Sequence, residues 1–171
     1  IMTIKALGAI FVFLGCGSVG FMMVVNQRRE ERALRQFLTA LDFMECELQY
    51  RLTPLPQLCR KTADNSSGWI CEVFKRLAEE LESQIAPDAR ICMNAALQKV
   101  PQIPQLLKNN LTQLGHFLGC FDLSGQIQGI ETVRQLSGQD LGGLCENKDA
   151  RFRCYQTLGI CAGSALVVLF L

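Results

Sequence analysis

Residues 28–51 read RREERALRQFLTALDFMECELQYR. Within them Leu34, Phe37, Leu38, Leu41, Met44 and Leu48 recur at helical spacing, which lays large apolar side chains along one stripe of a helix. Charged and polar residues fill most of the other positions, and neither proline nor glycine interrupts the run. The stretch decides the fold class because the rest of the chain follows the same rule. All five prolines, Pro54, Pro56, Pro87, Pro101 and Pro104, fall in three short stretches. Proline breaks helix interiors and suits first turns, so the intervals between these stretches read as helices. No run alternates apolar and polar residues in the Val-, Ile- and Thr-rich manner of a strand.

Working outward, a short second helix is expected to open with Thr53 as N-cap and Pro54 in its first position, ending before Asn65-Ser66-Ser67-Gly68. A third covers about 69–84 with Ile70, Val73, Phe74, Leu77 and Leu81 inward. A fourth starts near Pro87-Asp88 and turns Ile91, Ala95 and Leu97 inward. A fifth starts at Pro104 and carries Leu107, Leu111, Leu114 and Leu118. A sixth starts beyond Asp122 with Ile127, Ile130, Val133 and Leu136. The fold class is therefore all-α, a six-helix antiparallel bundle, and an even number of alternating helices returns the chain to the side it started from. Gly125, Gly129, Gly138, Gly142 and Gly143 oppose a regular sixth helix, since each costs about 1 kcal/mol against alanine in a helix interior. Either that helix packs closely there or it breaks near Gly138–Gly143.

The chain is 49% hydrophobic with a mean hydropathy of +0.18, and the excess lies at its ends. No charge occurs between Lys5 and Arg28, so Ala6 to Val25 is long enough to cross about 30 Å of hydrocarbon. Tyr155 to Leu171 is also uncharged, at the short limit for a span. The expected division is a transmembrane helix over 1–25, a helical bundle over 26–154 and a transmembrane helix over 155–171. A cleaved signal peptide would have a shorter apolar core. Phe13-Leu14-Gly15-Cys16 approximates a lipid-attachment box, but the apolar stretch runs on past Cys16.

Arg28, Arg29 and Arg32 follow the first span, and Lys148, Arg151 and Arg153 precede the second. Only Lys5 lies on the far side, so the positive-inside rule puts the bundle in the cytoplasm and both termini outside. The bundle holds every acidic residue, sixteen in all, and all but Lys5 of the seventeen basic ones. That balance leaves no net field to attract nucleic acid. Gly159 and Gly163 sit one turn apart in the second span, and Gly20 follows Cys16 similarly in the first. Such spacing lets membrane helices approach, within the chain or between copies in a homo-oligomer; it is equally what glycine-rich membrane helices show without pairing.

The nine cysteines are odd in number and form no C-x-x-C, which argues against a disulfide framework or zinc site. They read as small buried hydrophobes in a reducing compartment. His116 is the only histidine, so no histidine-rich metal site exists, and no phosphate-binding loop is present. No cofactor is expected. Cys120 lies one helical turn from His116, the spacing a thiolate and its base would need. A small membrane-anchored thiol enzyme is thus the alternative function, although the pair lacks an orienting group and its neighbours read as core. Two surfaces are candidates for a partner: the turn at Pro54, Leu55 and Pro56, and the acidic face of Glu79, Glu80 and Glu82.

Several short motifs recur in a fixed order: Arg28-Arg29-Glu-Glu-Arg32 after the first apolar segment, Glu47-Leu-Gln-Tyr50, Thr53-Pro-Leu-Pro56, Leu114-Gly-His-Phe-Leu-Gly-Cys-Phe-Asp122, and Tyr155-Gln-Thr-Leu-Gly159. In order and spacing the whole chain resembles the stage III sporulation protein AB family of endospore-forming Firmicutes. The glycines of the sixth helix depart from the regular, strongly charged helix of that family. The resemblance implies a non-enzymatic platform or scaffold in the membrane complex that forms a channel between mother cell and forespore. It further implies a six-helix cytoplasmic domain similar to the inner-membrane platform domains of type II secretion systems. The implied partners are a secretion-type cytoplasmic ATPase and the other membrane proteins of the channel complex, and the implied location is the mother-cell membrane around the forespore.

Overall fold

The first helix, α1, runs Met2–Arg51 and joins the apolar N-terminal segment to the amphipathic stretch without a break. Five more follow: α2 Leu55–Asp64, α3 Gly68–Ser83, α4 Ala89–Lys99, α5 Gln105–Leu118 and α6 Leu123–Phe170. This computed structural model describes the backbone of residues 2–83, 88–119 and 122–170, and the side chains of 25–26, 28–83, 88–119 and 122–146. Among the described residues the chain is helical with no strand. It divides into two compact units, Glu30–Gly142 and the paired terminal segments Ile1–Arg29 with Gly143–Leu171. Among the described residues no helix is long and apolar enough to cross a membrane. The side chains of the two expected spans lie almost wholly outside the described residues.

The core of the Glu30–Gly142 unit is the stripe that residues 28–51 announce. Leu34, Phe37, Leu41, Met44 and Leu48 are buried, and Leu38 sits at the margin. They meet Leu58 of α2, Ile70, Val73, Phe74 and Leu77 of α3, Leu107, Leu111, Leu114 and Leu118 of α5, and Ile130 and Val133 of α6 in the buried set. Each large side chain so enclosed contributes about 1.5–3 kcal/mol relative to exposure. Arg134 Nη1 donates to Asp42 Oδ1 at 3.1 Å, tying α6 to α1, and Gln36 Nε2 donates to Ser67 Oγ at 2.7 Å, tying α1 to the α2–α3 turn.

Three expectations need correction. Thr53 does not cap α2: Pro54 is the N-cap residue, its carbonyl accepts from Leu58 N–H at 2.9 Å, and the Thr53 hydroxyl donates instead to Glu47. In α4 the inward face is Ala89, Cys92, Met93, Ala96 and Leu97, while Ile91 is 50% exposed and Ala95 only partly covered. The reason lies in α5, where an added Cβ at Gly115 would stand 2.8 Å from Met93 Cβ and one at Gly119 3.1 Å from Asp88 Oδ1. Only small or flexible side chains fit so close an approach. In α6 Leu136 is exposed and Ser137 is buried. Steps of three residues drift about 60° around a helix each time, so a line through Ile127, Ile130 and Val133 leaves the core by residue 136.

The sixth helix is unbroken across Gly138–Gly143. Gly129 is there for packing, because an added Cβ would overlap Cβ and Cγ of Phe117. At Gly138, Gly142 and Gly143 no described atom lies within 4 Å of such a Cβ.

Candidate interaction surface

Helix α1 ends because Pro54 cannot continue it. Leu52 would otherwise extend the buried stripe one turn past Leu48. It leaves the helix with φ of +50°, a left-handed backbone that leucine rarely adopts. Its side chain is 66% exposed, and Tyr50 beside it is 79% exposed. Pro54 is exposed, and Leu55 and Pro56 are half-buried. The turn thus presents apolar side chains outward at the point where the core stripe stops.

A buried carboxylate holds this turn. Glu47 is 6% exposed, and its Oε2 accepts from Thr53 Oγ1 at 3.0 Å and from Lys61 Nζ at 2.7 Å. Its Oε1 faces Arg51 Nη1 at 3.0 Å. The Lys61 ammonium, more than any other neighbour, holds the Glu47 carboxyl below the usual carboxylate range; Thr53 and Arg51 act the same way, and burial opposes them. Two of the residues so gripped, Arg51 and Thr53, are the immediate neighbours of Leu52. Sequence reasoning placed Pro54, Leu55 and Pro56 at a surface but missed Glu47 as their support and Tyr50 and Leu52 as the most exposed parts. The available signal was the stripe itself, since Leu52 continues its spacing but lies two residues before a proline.

The second candidate surface looks different in three dimensions. Glu79 pairs with Arg76 at 3.2 Å, Glu80 with Lys99, and Glu82 with Arg60. These carboxylates bridge helices and turns of the domain itself. The shallow groove between α2 and α3 is lined by Arg60 and Lys75 but also by Asp64 and Glu79, so it offers no net charge to a ligand.

The motif over residues 114–122 builds structure. Leu114 and Leu118 are core, Gly115 and Gly119 admit α4, Phe117 receives Gly129, and Asp122 Oδ2 caps α6 by accepting from Gly125 N–H at 2.9 Å. His116 is exposed, and Cys120 lies outside the described residues. Cys59 and Cys92 are buried, and burial pushes the Cys59 thiol up to about 12 and the Cys92 thiol upward too. Cys46, by contrast, is exposed. No cluster of three metal-ligating side chains occurs among the described residues. Arg28, Arg29 and Arg32 are exposed. The side chains of Lys148, Arg151 and Arg153 fall outside the described set, and Gly20, Gly159 and Gly163 are described only as helical backbone of α1 and α6.

Comparison with known proteins agrees with this architecture. Stage III sporulation protein AB of Bacillus subtilis (strain 168) is 26% identical over 173 residues, covering 98% of this chain and 99% of the relative. A solved structure titled stage III sporulation protein AB superposes with a TM-score of 0.61 at 21% identity, covering 69% of this chain and 94% of the other, which is a likeness of fold. The sequence profile of the family described as Stage III sporulation protein AB matches residues 5–171. With a match of that extent, the chain belongs to the stage III sporulation protein AB family.

Proposed function

We propose that this protein is a non-enzymatic platform of the sporulation channel complex, anchored in the mother-cell membrane around the forespore and coupling a cytoplasmic ATPase to the membrane assembly. The observation that carries the reading is the family match over residues 5–171, which gives the whole chain a role in sporulation. The apolar segments 6–25 and 155–171 are the membrane anchors, and the flanking arginines and lysines orient the bundle toward the cytoplasm. The chain carries no phosphate-binding loop, so an energy-driven step in its complex belongs to another protein. The domain is charge-balanced, and contact with that protein runs through a local patch rather than a broad field. The turn at Tyr50–Pro56 is the better patch. The Glu79, Glu80 and Glu82 carboxylates already serve pairs within the domain.

Capture of the ATPase by the bundle, residues 26–154, tests the coupling role. Wild-type bundle should retain the ATPase, and charge reversal at Glu79 and Glu80 should leave capture intact. No capture when both proteins are folded would remove the coupling role. Orientation is tested at Cys46, which is naturally exposed. A membrane-impermeant thiol reagent should reach Cys46 only after lysis; modification in intact cells would reverse the topology.

A further inference from the structure

We propose that Tyr50 and Leu52 form a pre-set apolar knob that docks into an apolar pocket edged by a carboxylate on a partner protein, with Glu47 as the residue that positions the knob. The inference rests on the platform reading in that the turn is the contact surface named there, and it specifies the chemistry that surface meets.

Three independent features of one turn lead to it. First, the two most exposed large apolar side chains among the described residues, at 79% and 66%, stand on either side of Arg51 in one turn, whereas the others that reach solvent, Ile91, Leu123 and Leu136, are scattered singly at 38–50%. Second, Leu52 holds a left-handed φ of +50°. At the two other left-handed positions among the described residues, both at φ of +62°, the chain uses Gly68 and the exposed polar Gln102, so Leu52 is the one large apolar residue held this way. Retaining leucine at a strained position fits a side chain kept for contact. Third, the strain is imposed from both sides. Glu47 accepts from Thr53 at 3.0 Å and faces Arg51 at 3.0 Å, so the residues before and after Leu52 are fastened to one buried anchor. The segment between them has little choice but to project. A side chain fixed before contact loses less freedom on binding.

The partner's chemistry follows from what surrounds the knob. Tyrosine and arginine are, with tryptophan, the side chains enriched at the energetic centre of protein interfaces. Arg51 lies between the two apolar residues and is mostly exposed, with Nη1 engaged by Glu47. Its guanidinium is placed to meet a carboxylate bidentately at the rim. A lipid surface fits less well, because Glu47 offsets one of its two cations and Glu82 offsets Arg60 nearby, leaving one net positive charge beside the knob. A second copy fits less well too. Two grooves on the described surface are edged by polar side chains, Arg60, Asp64 and Lys75 in one and Gln36, Thr39 and Ser67 in the other.

The test is photo-crosslinking in the full chain, with benzoylphenylalanine in place of Tyr50, in sporulating cells. The expected product is a single protein adduct, mapped to a segment where apolar residues flank an Asp or Glu. Leu52→Asp should cut its yield roughly tenfold, and Leu52→Met should preserve it. Replacing the partner's carboxylate by its amide should weaken the adduct, and in an Arg51→Gln background the same replacement should cost nothing further. Two variants separate docking from folding. Leu52→Gly should raise the melting temperature and still lose the adduct, and Glu47→Gln should lower the yield without changing the adduct site. An adduct with lipid, an adduct with another copy of this chain, or labelling no more specific than from exposed Asn94 would overturn the proposal. So would full adduct yield in Leu52→Gly. ATPase capture is scored separately. Equal capture by wild type and Leu52→Asp with no Tyr50 adduct removes the knob and leaves the platform. An adduct on some other protein supports the knob only where it maps to apolar residues beside an Asp or Glu and falls with Leu52→Asp; one mapped elsewhere overturns it.

Discussion

Two groups of glycines in one region of the chain behave in opposite ways. Gly115 and Gly129 sit where helices meet: an added Cβ would crowd Met93 in the first case and overlap Phe117 in the second. Gly138 and Gly142, within the same helix as Gly129, have no described atom within 4 Å of where a Cβ would stand. The first pair explains itself through packing, because a missing side chain lets two backbones approach. The second carries the cost of glycine in a helix with no return visible inside the domain. Glycine in a helix therefore has to be read against what faces it.

The sharpest way to break this contrast is Gly129→Ala. The atoms in the way are Phe117 Cβ and Cγ, near the backbone rather than at a flexible tip, so α5 or α6 must move. The bundle 26–154 should lose about 3 kcal/mol, at the upper end of overpacking costs. Chemical denaturation followed by circular dichroism measures it, and Phe117→Ala in the same chain should recover part of the loss. A neutral Gly129→Ala would show that α6 does not pack on Phe117. Gly115→Ala comes next. Its nearest contact is 2.8 Å from Met93 Cβ, but the methionine beyond Cβ is flexible and helix propensity returns about 1 kcal/mol. A net loss of about 1–2 kcal/mol is expected, and Met93→Ala, which keeps the Cβ at 2.8 Å and removes only the Cγ contact at 3.0 Å, should recover little of it.

The same contrast explains what the sequence could and could not disclose. α1 and α5 were legible because their core lines are leucine, phenylalanine and methionine at steps of three and four. α4 was not, because the close approach at Gly115 and Gly119 selects alanine, cysteine and methionine for its inner face, while the conspicuous Ile91 points outward. A hydropathy pattern ranks isoleucine above alanine, and packing at short range reverses that order. The α6 line held at Ile130 and Val133 and failed at its end by geometry: spacing by threes drifts off the core, and Ser137 occupies the place assigned to Leu136. The interaction turn was half legible. Its prolines marked a surface, but the anchoring of Arg51 and Thr53 by Glu47 depends on a lysine fourteen residues further on, Lys61, which no local pattern reveals. The family resemblance was legible in full from the order of its motifs.

Gly138→Ala and Gly142→Ala probe the open group. With nothing to collide with, each should stabilise the bundle by up to about 1 kcal/mol through helix propensity alone, a rise of about 4 °C in Tm. If the same substitutions lower assembly of the full chain in sporulating cells while stabilising the bundle, the glycines serve a helix outside the domain. If they destabilise the bundle itself, a contact inside it fills that space.

The smallest effect reverses the direction of substitution. Leu52→Gly puts glycine where the backbone is already left-handed. Leucine at φ of +50° costs about 1–2 kcal/mol. Glycine removes that strain but gives back about 0.5–1 kcal/mol, because its unfolded chain is freer. Little burial is lost, since the side chain is 66% exposed. The difference leaves a gain of about 0.5–1 kcal/mol, measurable as a small upward shift in the denaturation midpoint with an unchanged slope. Leu52→Ala separates the two contributions, because alanine keeps the strained Cβ and discards the rest of the side chain; it should leave stability nearly unchanged. A loss of stability in Leu52→Gly would mean that the leucine packs on its own domain. The turn would then resemble Gly129, a position fixed by an internal neighbour. A gain would align it with Gly138, where the reason for the residue lies outside the fold.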